Sequence, residues 1–236
     1  MRKTEVLDRY PGELYDRAHS SPDYIKSVLN PFGNLLRVSS ISPKVLDLAS
    51  GKGEAADYLE TSLGIQAVRA DLSMDGMRLA KGKRVRALAD KLPFPDSSFD
   101  GVHMKDAIVH IPDTFKLFQE IARILKPGGK ALIVSAYPDK SSSFYYKEEG
   151  STMPHWTRIH SQSDYLRHAE GLMRDKKTTK ISPPYYATDQ LSMEIDAERV
   201  GLNLQSVYEW IPEDNTDWYT DSARPEARFV MLFEKS

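Results

Sequence analysis

The sequence predicts a doubly wound α/β domain built on a mostly parallel sheet, and three observations carry that expectation. Residues 45–59, Val-Leu-Asp-Leu-Ala-Ser-Gly-Lys-Gly-Glu-Ala-Ala-Asp-Tyr-Leu, compress a buried strand, a glycine turn and a helix start into one stretch. Short apolar runs then alternate with helical spacings up to residue 136, the rhythm of strand-helix-strand units. Composition completes the argument: 236 residues, 40% hydrophobic and 28% charged, bury one sizeable core and stand near the upper end for a single domain.

Ahead of the first strand, residues 23–36 read as one or two short helices in a segment that also holds Tyr10, Tyr15, Tyr24 and Phe32. Val45, Leu46 and Leu48 make the first buried strand. Gly51 and Gly53 then let the backbone turn sharply beside a ligand, and Glu54 opens a helix. The free N–H groups of that helix start, with Asp47 nearby, suit a ligand that carries both a carboxylate and an ammonium. A phosphate loop fits less well, because Gly51-Lys52 is followed by Gly53-Glu54 where Ser or Thr is needed. A dinucleotide fingerprint is also imperfect: counted from Gly51 its last glycine is Ala56, Ala49 holds the place of the first glycine when the count starts two residues earlier, and Asp47 would repel a pyrophosphate. On these residues alone a purely structural glycine turn stays open.

The next apolar run, residues 65–70, ends at Asp71, and Leu72-Ser73 leads into the helical spacing of Met77, Leu79 and Ala80. A carboxylate at the tip of a second parallel strand accepts the hydroxyls of a ribose. Its plain alternative is a helix cap, and Ser73 is the residue expected to cap that helix. Further on, Phe115, Leu117, Phe118, Ile121, Ile124 and Leu125 space a helix that should stop at Pro127-Gly128-Gly129 and hand over to a strand at residues 131–135. A helix over residues 188–200 and strands over 204–211 and 228–234, joined by the polar segment 212–226, finish the chain.

Four segments, in order over residues 45–136, resemble the class I S-adenosylmethionine-dependent methyltransferases, in the branch similar to the ubiquinone and menaquinone biosynthetic enzymes. The first is Asp47-Leu48-Ala49-Ser50-Gly51-Lys52-Gly53, against the family's Asp-x-Gly-x-Gly-x-Gly, with Ala49 for the first glycine. Asp71 matches the ribose-binding acid. The third segment runs from Ala89-Asp90-Lys91-Leu92-Pro93-Phe94 through Ser98-Phe99-Asp100 and Lys105 to His110-Ile111-Pro112-Asp113, and the fourth is Leu125-Lys126-Pro127-Gly128-Gly129. Leu88 stands where the family often has Asp or Asn, which leaves the adenine amino group to Asp90 or to backbone. The resemblance implies a Rossmann-like seven-stranded sheet with an antiparallel edge hairpin and a lid. It implies S-adenosyl-L-methionine as methyl donor, with S-adenosyl-L-homocysteine as product. The cofactor residues it points to are Asp47, Ala49, Ser50, Gly51, Gly53, Asp71, Leu72, Ala89, Asp90 and Lys105.

On that reading the chain divides into a helical cap (1–40), a cofactor core (41–136), a lid and substrate insertion (137–188) and a C-terminal helix with its strand hairpin (189–236). The insertion concentrates tyrosine, phenylalanine and tryptophan above the carboxyl ends of the strands, where open α/β sheets bind ligands. Tyr145, Tyr146 and His160 are its candidate substrate residues. Tyr15 is a candidate lid residue, with an aromatic face packed on the sheet as the alternative. If the acceptor is a hydroxyl a base is needed. His110, a residue type that titrates near neutrality, is the first catalytic candidate and Tyr15 the second, and anchoring of its loop is the competing role for His110.

Several features argue against other classes. His155, His160 and His168 lack the spacing of helical metal ligands and no cysteine assists them, so no metal is expected. Arg174, Lys176, Lys177 and Lys180 read as a solvated face in a chain of net charge -2, which has no global pull toward nucleic acid. The absence of cysteine excludes thiolate catalysis and disulfides. No apolar run approaches a membrane span, and residues 1–5 carry no apolar signal core, which points to a cytoplasmic protein. A small-molecule methyltransferase is therefore the expectation. An RNA or protein methyltransferase is the second reading, and a cofactor-binding protein without transferase activity the third.

Overall fold

Near-continuous burial of the central strands, covered on both faces, sets the architecture. In the computed structural model, which describes residues 22–136, 143–147, 155–158, 167–168, 171, 180–181, 186, 189–211 and 228–236, seven strands form one sheet in the order β3-β2-β1-β4-β5-β10-β9. Strands β1 (Lys44–Leu48), β2 (Gln66–Asp71), β3 (Lys83–Arg86), β4 (Phe99–Lys105) and β5 (Leu125–Ala136) are parallel. Strand β10 (Arg228–Lys235) inserts antiparallel between β5 and β9 (Leu202–Trp210), giving the expected edge hairpin. A separate three-stranded sheet of β6 (Ser143–Lys147), β7 (His155–Arg158) and β8 (Lys180–Ile181) lies within the insertion, where the sequence had suggested no strands.

Helices cover both faces. Helix α1 (Asn30–Ser39) continues from a turn at Pro22–Tyr24 and a π-helical stretch at Ile25–Leu29. Val28, Phe32 and Leu36, spaced four apart, lie on the sheet together with Tyr24 and Leu29, all buried. Each such side chain contributes about 1.5–3 kcal/mol by leaving water. The approach of α1 depends on Gly101 of β4, where an added Cβ would lie 2.7 Å from Leu36 Cδ1. Helices α2 (Glu54–Leu63), α3 (Met74–Leu79), α4 (Thr114–Ile124) and α5 (Gln190–Glu198) follow the strands. Leu117, Phe118 and Ile121 of α4 and Met193 of α5 pack against Leu46, Val102, Met104 and Phe233 in the larger core cluster.

Local chemistry moved some boundaries. Helix α4 is capped by Asp113, whose side chain accepts the Lys116 N–H at 3.0 Å, and α5 by Asp189, which accepts the Ser192 N–H at 2.7 Å, so that α5 begins at Gln190, two residues later than the spacing suggested. Ser73 occupies the cap position of α3 but its hydroxyl makes no cap bond. Its N–H donates to Asp71 Oδ1 at 2.7 Å instead, which corrects the expected cap. Pro127-Gly128-Gly129 does not separate helix from strand. It forms a bulge inside β5, with Gly128 at φ +74° and residues 125 and 130 opposite Phe99 and Gly101.

Candidate functional site

The site is assembled where β1 and β4 end together. Because β1 and β4 pair in parallel with Asp47 opposite His103 and Leu48 opposite Met104, alternation sends Leu46, Leu48, Val102 and Met104 into one core. Asp47 and His103 fall on the other face, toward α1, and Lys105 is in step with them. Beyond Leu48 the chain passes through left-handed conformations at Ala49 (φ 57°), Gly51 (φ 51°) and Gly53 (φ 79°) before α2 begins. Ala49 therefore holds a backbone geometry that glycine adopts more readily, at a cost of about 1–2 kcal/mol. Gly53 has no such latitude: an added Cβ would lie 2.8 Å from the Arg69 Nε.

Asp71 closes the turn. Its Oδ2 accepts the Gly51 N–H at 2.8 Å and its Oδ1 the Ser73 N–H at 2.7 Å, so each oxygen keeps further lone-pair capacity for a ligand. Burial pushes its carboxyl above the ordinary value, partly offset by those N–H bonds. The hydroxyls of Ser50 and Ser73 on either side are buried without a hydrogen-bond partner, and a Cβ on Gly51 would meet nothing within 4 Å. The turn thus presents open space edged by unsatisfied polar groups. These residues fit a ligand bearing a vicinal diol. Two carboxylates, Asp47 and Asp71, disfavour a phosphate there.

Beside the turn lies a cavity of about 50 Å³, room for roughly four water-sized groups. Its lining includes Asp47, Ala49, Ser50 and Gly51 from the first strand and its turn, with Tyr24, His103 and Lys105. The Asp47 carboxylate is engaged at both oxygens, by His103 Nδ1 at 2.7 Å and the Ala56 N–H at 3.3 Å, so it organises the cavity floor more than it offers a free acceptor. His103 Nε2 lies 2.6 Å from the Tyr24 hydroxyl, and Lys105 Nζ sits 4.7 Å above the Tyr24 ring. Lys105 also contacts Asp106 at 3.2 Å, and Arg228 contacts Asp106 at 2.9 Å. Burial lowers the Lys105 ammonium below its ordinary value, with Asp106 opposing that shift, and burial raises the Tyr24 phenol well above its own.

Of the sequence-derived cofactor residues, Asp47, Ala49, Ser50, Gly51 and Lys105 line this cavity, Asp71 bonds to its turn and Gly53 starts α2. Leu72 follows Asp71, and its carbonyl accepts the Arg86 Nε–H at 3.1 Å. Ala89 and Asp90 form the tight turn between Leu88 and Lys91 just past β3, and the Ala87 N–H donates to the Asp71 carbonyl at 3.0 Å, which holds that loop beside Asp71. His110 ends a 3₁₀ turn at Ile108–His110 beyond β4 and is not among the cavity's lining residues. The Tyr186 N–H donates to the Val109 carbonyl at 2.6 Å, tying the end of the insertion to that turn. Tyr15, His160 and the side chains of Tyr145 and Tyr146 lie outside the described residues. His103 and Tyr24 were missed as site residues. The available signal was a histidine and a lysine in step within an otherwise apolar strand.

Residues 46–133 match a family described as Methyltransferase domain. A demethylmenaquinone methyltransferase of Clavibacter sepedonicus is 35% identical over 148 residues, 54% of this chain and 59% of that protein. Phosphoethanolamine N-methyltransferase 2 of Caenorhabditis elegans is 38% identical over 113 residues, 42% of this chain and 26% of that protein. The chain thus spans under two thirds of the length of these relatives. Among solved structures, an S-adenosylmethionine-dependent methyltransferase from Mesorhizobium loti superposes with a TM-score of 0.56 at 18% identity, covering 88% of this chain and 100% of that one. The cyclase SpnF superposes equally well, with a TM-score of 0.56 at 13% identity over 87% of this chain and 80% of its own.

Proposed function

We propose that the chain, whose residues 46–133 match a methyltransferase-domain family, is a class I S-adenosylmethionine-dependent methyltransferase that acts on a small molecule in the cytoplasm. The observation that carries the reading is the Asp71 carboxylate, bonded to Gly51 of the glycine turn with lone pairs left for a ribose diol, next to a cavity lined by Ser50, Gly51 and Lys105. When bound, the cofactor supplies an electrophilic methyl group. The protein's work is to align the acceptor and exclude water.

In this reading Asp71 and Leu72 hold the ribose, Ala89 and Asp90 border the adenine, and Asp47, Ala49, Ser50, Gly51, Gly53 and Lys105 surround the methionine end. The acceptor side belongs to the helical cap (1–40) and the insertion (137–188), with Tyr15, Tyr145, Tyr146, His160 and His110 as its candidates. Relatives named for a quinone precursor and for phosphoethanolamine support a small acceptor. Among the described residues no helix is long and apolar enough to cross a membrane. That the cyclase SpnF shares the fold keeps cofactor binding without methyl transfer as the second reading.

Calorimetric titration with S-adenosylhomocysteine and with NAD tests the cofactor: binding of the first and not the second is expected, and the reverse overturns the proposal. Incubation of the protein and methyl-labelled S-adenosylmethionine with a cell extract tests the acceptor. Label in the low-mass fraction is expected. Label in RNA or protein shifts the acceptor class, and cofactor binding with no label anywhere favours the second reading.

A further inference from the structure

His103 is the polar residue that the pattern of β4 explains least. It is 1% exposed, and both its ring nitrogens are engaged, Nδ1 with Asp47 Oδ1 at 2.7 Å and Nε2 with the Tyr24 hydroxyl at 2.6 Å. An ionised carboxylate only accepts, so Asp47 keeps a proton on Nδ1, and in the neutral ring Nε2 then carries the lone pair to which Tyr24 donates. Carboxylate, imidazole and hydroxyl in that order hold a base in one tautomer and pass it a proton. Packing alone does not call for this arrangement, since apolar side chains of similar volume fill a core without desolvating a carboxylate. Nor are the three groups sealed in the core: Asp47, His103 and Tyr24 all line the cavity together with the glycine turn, and His110 does not.

Resting on the methyltransferase reading, we propose that Asp47, His103 and Tyr24 form a proton relay whose outer end, Tyr24, receives the acceptor's proton, and that the acceptor atom is a protonated nucleophile, a hydroxyl or an amine N–H. As the acceptor atom bonds to the methyl carbon, the carbon–sulfur bond of the donor breaks and its electron pair stays on sulfur. The acceptor's proton moves to the Tyr24 oxygen while the phenolic proton moves to His103 Nε2. The positive charge that began on the sulfonium ends on the imidazolium facing Asp47, and water removes the proton after product release. Burial holds the Tyr24 phenol well above its ordinary value, so Tyr24 donates as it accepts and does not rest as a phenolate. The other titratable groups turned toward it are Lys105 above its ring, Asp106 next to Lys105, and Tyr208 of β9.

The test is NMR of the imidazole nitrogens in the whole protein, free and saturated with S-adenosylhomocysteine, alongside cofactor affinity in Tyr24→Phe. The relay requires His103 at neutral pH to carry its proton on Nδ1 and none on Nε2, and the Nε2 signal to move in Tyr24→Phe, where its donor is lost. A proton on Nε2 at neutral pH, whether in the other tautomer or in an imidazolium, overturns the relay because nothing is then left to accept. At cofactor concentrations set by the measured affinity of Tyr24→Phe, transfer of label from methyl-labelled S-adenosylmethionine to the low-mass fraction is expected to fall about tenfold or more, and retention of the parent rate overturns the relay role of Tyr24. Failure of the parent protein to bind S-adenosylhomocysteine defeats the methyltransferase reading itself, an outcome separate from the wrong tautomer, which defeats only the relay.

Discussion

Arg69 of β2 should be more expensive to isolate than to remove. Its side chain has no solvent exposure, and its Nη2 binds both Asp57 and Glu60 of α2, the latter at 2.7 Å. Its Nε and Nη1 find no acceptor. Asp57 and Glu60 are 37% and 35% exposed and stay solvated without it. Replacing Arg69→Met keeps the stem that packs beneath Gly53 and removes a desolvated charge with two unsatisfied donors, each worth about 1–3 kcal/mol. Stability is therefore expected within about 1 kcal/mol of the parent, or above it. The double change Asp57→Asn with Glu60→Gln leaves the guanidinium buried and uncompensated. The usual loss is about 3–5 kcal/mol, and water access to this pair argues for the lower end. In a chain of this length about 3 kcal/mol lowers the midpoint of thermal unfolding by roughly 6–12 °C. Circular-dichroism melts of the two variants decide it. If Arg69→Met falls as far as the double variant, the ion pairs themselves stabilise the fold and the desolvation argument is wrong.

Three further outcomes follow from the site. Asp71→Ala should weaken S-adenosylmethionine binding by about 1.5–3 kcal/mol, roughly ten- to hundredfold, while the melting curve shows a folded protein, and unchanged affinity by calorimetry refutes the ribose assignment. Because burial raises the Asp71 carboxyl above its unfolded value of 3.8, the stability it contributes is fully present below that value and is lost as pH rises through the folded one. Ligand binding that needs the ionised form runs the other way. Affinity for S-adenosylhomocysteine should fall as pH drops from neutral toward 4, and Asp71→Ala should flatten that dependence. Gly53→Ala, at φ +79° and with a Cβ 2.8 Å from Arg69 Nε, should lose about 2 kcal/mol or more in urea unfolding, and a loss under about 0.5 kcal/mol would mean that the turn readily relaxes.

What the sequence revealed and what it hid have physical causes. The strand, turn and helix over residues 45–59 were legible because every signal is contiguous: apolar strand, two glycines, helix start. The tail hairpin was legible because residues 229–233 form an apolar run of strand length. Strand β3 was not, because Lys83-Arg84-Val85-Arg86 is a short edge strand whose charges follow the logic of a protected edge and not of a core. The π-helical stretch at Ile25–Leu29 escaped because period 3.6 is the only helical period that sequence reading tests. Ser73 was assigned the cap by its residue type. The structure gives its N–H to Asp71, a competition between neighbouring side chains that composition does not resolve. The contacts among Tyr24, His103 and Asp47 span 79 and 56 residues of chain, and only the β1–β4 register brings the last two side by side.

The central claim is that the turn from Ala49 to Gly53 and the carboxylate of Asp71 together hold S-adenosylmethionine. The most direct measurement is a crystal structure of the protein with S-adenosylhomocysteine. Both ribose hydroxyls are expected within hydrogen-bond distance of the two Asp71 oxygens, with the amino-acid end entering the cavity between Ser50 and Lys105. A ligand that leaves Asp71 bonded only to Gly51 and Ser73, with its ribose elsewhere on the sheet, would contradict it.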